Sequence, residues 1–223
     1  MVGPLALIGG DEFTPACDFD AALLESSGGT EVLVLPTAAA YEQPGEVVER
    51  ARSHFAALGA TVSTIELFRR RDAMSTELAA TVGAAKFIYL TSGSPMHLRS
   101  VVFDSPVWDA VVEAWSKGAV LAASGESASA LGSHMVDPRG GAFTLGLDLF
   151  DHLTVIPRAS EWSEDKWHRT IRLADPTVTV VGIDAATALI FDGTTWSTAG
   201  TGSVSAKLAG QRIELDQLVA VRP

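Results

Sequence analysis

The 223-residue chain is 47% hydrophobic and 19% charged, which is enough to bury one substantial core, and we expect a single domain over residues 1–223. Sixteen Lys and Arg residues against 27 Asp and Glu residues give a net charge of −11. No basic run exceeds three residues, so the sequence argues against nucleic acid or an anionic membrane as a partner.

The first 125 residues alternate short apolar runs with helical patterns. Apolar runs that end at turn residues predict strands at 5–8, 31–35, 61–67, 86–91 and 119–123. Apolar residues at 3.6-residue spacing predict helices that end at Gly59, at 75–82 and at 107–115. This alternation is typical of an α/β protein with a mostly parallel central sheet flanked by helices.

After about residue 140 the pattern changes to short strands separated by turns. The predicted strands are 153–156, 178–183, 188–191 and 203–208. No linker composition separates the two halves, so we predict that these strands extend the same sheet in antiparallel fashion.

Ligands of open parallel sheets bind beyond the carboxyl ends of the strands. Five predicted loops follow strands and should converge on that edge: 9–13, 36–41, 92–97, 124–129 and 157–160.

One of these loops, 125–129, has the pattern of a nucleophile elbow. It reads Gly-Glu-Ser-Ala-Ser, between an apolar strand and a helix-compatible stretch over 128–135. At an elbow, a strained turn exposes a serine hydroxyl, and the next backbone N–H stabilises an oxyanion. This predicts strained backbone at Ser127 and an oxyanion donor at Ala128. The alternative is that Ser127 only caps the helix.

The sequence resembles peptidase family S51, which contains aspartyl dipeptidases (peptidase E) and cyanophycinases. The segments that carry the resemblance are 8–12, 35–38, 89–94, 118–120, 125–130, 182–184, 187–189 and 202–204. The resemblance implies a flavodoxin-like, class I glutamine amidotransferase-like fold. It also implies a nucleophile at Ser127 and an oxyanion-hole amide near Gly93.

Three positions depart from the family's pattern. Ser92 stands where the family usually has glycine. The catalytic histidine of the family falls on Arg158 or Ala159, and an acidic residue of its cyanophycinase-like members falls on Ala185. The usual base and acid are therefore missing.

A serine needs a base to take its proton, so the five histidines were considered as substitutes. His97, whose loop should border the cleft, and His168, which follows the strand at 153–156, are the candidate bases. His54, His134 and His152 are expected to be structural.

Two functions follow. In the first, the protein is a serine hydrolase of small peptide or amide substrates. Ser127 attacks, the N–H groups of Gly93 and Ala128 hold the oxyanion, and His97 or His168 is the base.

In the second, the protein is a catalytically degenerate member that binds a small acidic ligand or a partner without turnover. Arg158 then supplies a fixed positive charge. We expect Arg158 to point into the cleft, to create a local anion site, and to pair with Glu126 when no ligand is bound.

No metal or organic cofactor is expected. A single Cys17 can form neither an intramolecular disulfide nor a cysteine-pair zinc site, and Gly9-Gly10 lacks the third glycine of a dinucleotide fingerprint. With no signal-peptide pattern and no long apolar run, we expect a cytoplasmic protein. The expected partner is a small peptide or an acidic small molecule, and a homodimer is compatible with the sequence.

Overall fold

The structure, a computed structural model, describes residues 2–137 and 139–221. The strands are β1 (Leu5–Ile8), β2 (Glu31–Leu35), β3 (Thr61–Thr64), β4 (Phe87–Leu90), β5 (Val120–Ser124), β6 (His134–Val136), β7 (Phe143–Leu145), β8 (Leu153–Pro157), β9 (Thr179–Ile183), β10 (Thr187–Phe191), β11 (Trp196–Gly200), β12 (Val204–Leu208) and β13 (Gln211–Ile213). The helices are α1 (Phe19–Ser27), α2 (Pro44–Ala57), α3 (Arg70–Ala73), α4 (Thr76–Gly83), α5 (Pro95–Val102), α6 (Pro106–Ser116), α7 (Glu126–Ala130) and α8 (Glu164–Leu173).

The main sheet has seven strands in the order β11-β10-β1-β5-β4-β2-β3. The five strands from β1 to β3 pair in parallel, and β10 and β11 add to the edge of β1 in antiparallel fashion. The predicted α/β class with a mostly parallel sheet is confirmed. Ile8 pairs with Ser124, so the loops after β1 and β5 leave the sheet at the same level.

The predicted single extended sheet is correct only for β10, and β11, a strand not predicted from the sequence, pairs with β10. Strands β8, β9, β12 and β13 form a second sheet in the order β13-β12-β9-β8, in which β8 and β9 are parallel. The physical reason is that β1 has one free edge in the main sheet, and β10 pairs with it. The backbone N–H and C=O groups of β8, β9, β12 and β13 therefore pair with one another in the second sheet.

The helix-compatible stretch over 128–135 is helical only as far as Ala130. Gly132 bridges to Phe150, and Met135 lies in β6, which pairs with β7. The chain therefore turns away after one helical turn, because its backbone groups find partners in this small sheet.

Serine–proline pairs define two helix starts. Ser94 and Ser105 each accept a hydrogen bond from a backbone N–H three residues later, and Pro95 and Pro106 are the first helical residues. The longest helix, α2, has 14 residues. Among the described residues, no helix combines the length and apolar character that a bilayer crossing needs.

Apolar side chains cover both faces of the main sheet. Leu5 and Leu7 belong to one buried cluster, and Ala6 and Ile8 belong to the other. Burial on both faces explains why the parallel strands read as continuous apolar runs. Polar residues are consequently concentrated at the strand ends, where the candidate site lies.

Candidate functional site

Loops after four strands meet at the carboxyl edge of the sheets. Glu12 follows β1, Ser92 follows β4, Glu126 follows β5 and Arg158 follows β8. Ser92, Glu126 and Arg158 line a cavity of about 690 Å³, and Glu12 lines a smaller depression of about 310 Å³ that Ser92 and Arg158 share. These four residues form the candidate site.

The strained residue of the turn between β5 and α7 is Gly125. Its φ of 57° and ψ of −130° lie in a region that residues with a side chain rarely adopt. The strand ends at Ser124 and the helix begins at Glu126, so the whole reversal occurs at this glycine. In a nucleophile elbow, this is the position of the nucleophile. Gly125 has no side chain to supply one.

Ser127 is an ordinary helical residue, so the prediction of strained backbone at Ser127 is wrong. It is the second residue of α7 and is completely buried. Its hydroxyl donates to the carbonyl of Thr91 at 2.6 Å. The N–H of Ala128 donates to the carbonyl of Gly125 at 3.0 Å and is therefore already used, contrary to the oxyanion role expected of it.

The hydroxyl of Ser92 fills the space above Gly125. A Cβ placed on Gly125 would lie 2.2 Å from Ser92 Oγ, far inside van der Waals contact. Ser92 Oγ donates to Glu126 Oε2 at 2.9 Å. A serine side chain therefore occupies the elbow, but it comes from the loop after β4.

Glu12 connects three of the loops through hydrogen bonds to its carboxylate. Its carboxylate accepts from the N–H of Ser92 at 2.9 Å and from the hydroxyl of Ser124 at 2.8 Å. The side chain is 7% exposed, and Ser124 is completely buried. Two fixed donors hold this buried carboxylate in place, and it in turn fixes the backbone of Ser92.

Arg158 points into the cleft but pairs with Asp11, and not with Glu126 as predicted. Arg158 Nη2 donates to Asp11 Oδ1 at 2.9 Å. Burial lowers the pKa of the Arg158 guanidinium, but the hydrogen bond to Asp11 and the charges of Glu126, Asp11 and Glu12 raise it by more. One guanidinium faces three carboxylates, so this edge is net negative when all four groups are ionised. Asp11 therefore neutralises part of the Arg158 charge, and the local anion site expected there stays a prediction.

A second group of polar side chains lies beneath the first loop. Asp20 is completely buried, and its carboxylate is 2.9 Å from His54 Nε2. Burial raises the pKa of Asp20, and the hydrogen bond with His54 opposes that rise. Cys17 is also buried, and burial raises the pKa of its thiol, which keeps it protonated at neutral pH. His54 is therefore structural, as predicted, and Cys17 is not an activated nucleophile.

The structure places neither candidate base beside a serine of the site. His97 lies in the first turn of α5 with its ring 4.9 Å from that of Tyr41, and it is not part of the cavity lining. His168 lies on α8 in a separate depression with Asp184. Within 2–137 and 139–221, neither ring makes a hydrogen bond to Ser92 or Ser127.

In the loop after β9, the acidic residue is Asp184, and it holds neighbouring backbone N–H groups in place. Ala185 stands where the resemblance placed an acid, and the adjacent Asp184 accepts backbone hydrogen bonds from Ser160 and Ser203 at 3.0 Å each. Across the part of the chain that the structure describes, no three His, Cys, Asp or Glu side chains are grouped as metal ligands.

The family model of peptidase family S51 matches residues 5–199 of this chain. The chain belongs to peptidase family S51. Two curated S51-like relatives, the cyanophycinases of Trichormus variabilis and of a Nostoc species, are each 27% identical over 187 residues. That match covers 78% of this chain but 62% of each relative, so the chain spans less than two thirds of their length.

Solved structures agree with membership of family S51. A crystal structure of a peptidase from an acI-B1 Actinobacterium has a TM-score of 0.82 and 28% identity, covering 96% of this chain and 97% of that one. A candidate peptidase E from Listeria monocytogenes EGD-e has a TM-score of 0.70 and 15% identity, covering 91% and 100%, and shares the fold.

Within this S51 fold, the site departs from what the resemblance implied at three positions. Gly125 occupies the strained turn, Arg158 is the first residue after β8, where the resemblance placed histidine, and Ala185 replaces the acid. The strained turn at Gly125 was not predicted from the sequence. The available signal was Gly125 itself, since glycine is the residue that tolerates such a turn.

Proposed function

We propose that this chain binds small peptide-like molecules in the cleft and leaves them uncleaved. The observation that carries the proposal is the glycine at the elbow. A hydrolase of this design needs a hydroxyl at the strained turn and a base beside it. Gly125 lacks the hydroxyl, Ser127 directs its own to Thr91, and Arg158 remains protonated and cannot accept a proton.

The charges of the cleft suit a ligand that carries both signs. Glu42, Glu126 and Asp137 line the cavity together with Arg139 and Arg158, and Arg139 pairs with Asp137 at 3.2 Å. The carboxylates can receive an ammonium group, and a guanidinium can hold a carboxylate through two parallel hydrogen bonds. A short peptide with free ends has both groups. Of the two partners expected from the sequence, a small peptide and an acidic small molecule, these charges favour the peptide.

The first test is calorimetric titration with dialanine and with aspartyl-alanine, using N-acetyl-alanine amide as the uncharged comparison. We expect the free dipeptides to bind and the blocked compound to bind more weakly. Arg158→Gln should weaken dipeptide binding roughly tenfold to a hundredfold, as expected for the loss of a charged hydrogen bond.

Arg172→Gln is the matched control, because Arg172 is exposed on α8 and does not line the cavity. Thermal unfolding of both variants checks that the fold is retained. Equal dipeptide affinity in Arg158→Gln and the unaltered protein would show that the ligand does not bind at Arg158, and the proposal would be wrong.

Hydrolysis through Ser127 is the competing function, favoured by membership of a peptidase family. It requires the turn at 125–128 to rearrange until the hydroxyl of Ser127 leaves the Thr91 carbonyl and faces the cavity. It also requires a base beside Ser127, and among the described residues the Ser127 hydroxyl donates to the Thr91 carbonyl and not to a basic side chain.

A further inference from the structure

The hydroxyl of Ser92 occupies the place that an elbow side chain would take. A Cβ built on Gly125 would lie 2.2 Å from Ser92 Oγ, so the Ser92 hydroxyl and a side chain at position 125 cannot occupy this space together. Ser92 and Glu126 are both partly exposed and line the 690 Å³ cavity, so a molecule in the cleft can reach them. Ser127 is buried and has no such access.

We propose that Ser92 is an acyl-accepting nucleophile and that Glu126 is its base. The Ser92 hydroxyl already donates to Glu126 Oε2 at 2.9 Å, which is the contact that a general base needs. The backbone N–H of Ser92 is held by Glu12 at 2.9 Å, so the residue is fixed from the other side. No further side chain has to move for proton transfer to begin.

The step is an acyl transfer from an activated ester. The Ser92 oxygen forms a bond to the acyl carbon while its proton passes to Glu126, and the bond from that carbon to the leaving oxygen breaks. The leaving group departs as a phenolate, so it needs no proton from the protein. Glu126 then releases its proton to solvent, and the products are acyl-Ser92 and the phenolate.

The backbone N–H of Gly93 is the oxyanion donor in this proposal. Gly93 lines the cavity next to Ser92, and among the described residues its N–H has no hydrogen-bond acceptor. A Cβ on Gly93 would lie 2.4 Å from the carbonyl oxygen of Ala38, so this close approach of two loops requires glycine. The free N–H is therefore held in a fixed position.

A carboxylate is a weaker base than imidazole, so Glu126 activates Ser92 less than a histidine would, and the leaving group has to be a good one. The proposed reaction is therefore confined to activated acyl esters and leaves peptides intact. It goes beyond the proposed function, since peptide binding requires no reaction at Ser92.

The test uses the full chain and p-nitrophenyl acetate. We expect about one equivalent of nitrophenolate in a fast phase, one acetyl group by intact mass, and peptide mapping that places it on Ser92. Ser92→Ala should lose this label, and it retains the backbone N–H that bonds Glu12. Glu126→Gln keeps an acceptor oxygen but not the base, and it should slow labelling of Ser92 about a hundredfold or more.

Ser26→Ala is the control, because Ser26 is an exposed serine on α1, away from the cleft. It should be labelled like the unaltered protein. Acetyl groups spread over surface residues, a label on Ser127, or a rate unchanged in Glu126→Gln would each overturn the inference. Dipeptide titration of the same samples separates the two proposals, since binding without Ser92 labelling contradicts only this one.

Discussion

Gly125→Ser should destabilise the protein strongly, although serine is the residue that an elbow of this family would carry. The backbone at φ 57° and ψ −130° costs a residue with a side chain about 1–3 kcal/mol. The new Cβ would also meet Ser92 Oγ at 2.2 Å and displace it from Glu126. Urea unfolding followed by circular dichroism measures the loss of unfolding free energy.

The partner variant Ser92→Gly makes this prediction specific. Removing the Ser92 side chain empties the space, so Ser92→Gly/Gly125→Ser should be more stable than the sum of the two single changes predicts. We expect a coupling of about 0.5–3 kcal/mol, the range for residues in direct contact. Strictly additive effects would mean that the two side chains do not compete for one space.

Glu12→Ala has the second large effect. It removes the acceptor of two donors, the buried hydroxyl of Ser124 and the N–H of Ser92. Each donor left without a partner costs about 1–3 kcal/mol. We therefore expect a large drop in unfolding free energy and, because Ser92 is no longer fixed, loss of Ser92 acetylation.

Glu12→Gln distinguishes hydrogen bonding from charge in this prediction. The amide keeps one acceptor oxygen and one of the two hydrogen bonds, so its stability should fall between those of the unaltered protein and Glu12→Ala. A glutamine variant as unstable as the alanine variant would mean that the negative charge near Arg158, and not the pair of hydrogen bonds, supplies the stability.

Much of the fold could be predicted because buried parallel strands leave a strong pattern. The apolar runs at 5–8 and 31–35 match β1 and β2, since strands covered on both faces are apolar at their buried positions, which in β2 are 32–35. Strand pairing was less predictable. Whether 153–156 joins the main sheet depends on which strand takes the edge of β1, and no local pattern encodes that choice.

The strained turn was predicted in the correct loop, but it lies at Gly125 and not at Ser127. Ser-Ala-Ser-Ala at 127–130 resembles the family's elbow motif, with Ser129 in place of a glycine, but β5 continues to Ser124 and the reversal falls on Gly125. Because the turn lies at Gly125, two residues before Ser127, the side chain of Ser127 faces the core and not the cleft. His97 was expected on a cleft loop, although Ser94-Pro95 is the signature of a helix start and places it on α5.

Neither Gly125 nor Ser127 supplies a nucleophile for peptide cleavage. The most direct measurement is quantitative mass spectrometry of dialanine and aspartyl-alanine incubated with the unaltered protein and with Ser127→Ala. The account predicts that both proteins leave the dipeptides intact and release no free alanine above the protein-free rate. Release of alanine by the unaltered protein that disappears in Ser127→Ala would contradict it and would restore Ser127 as a catalytic residue.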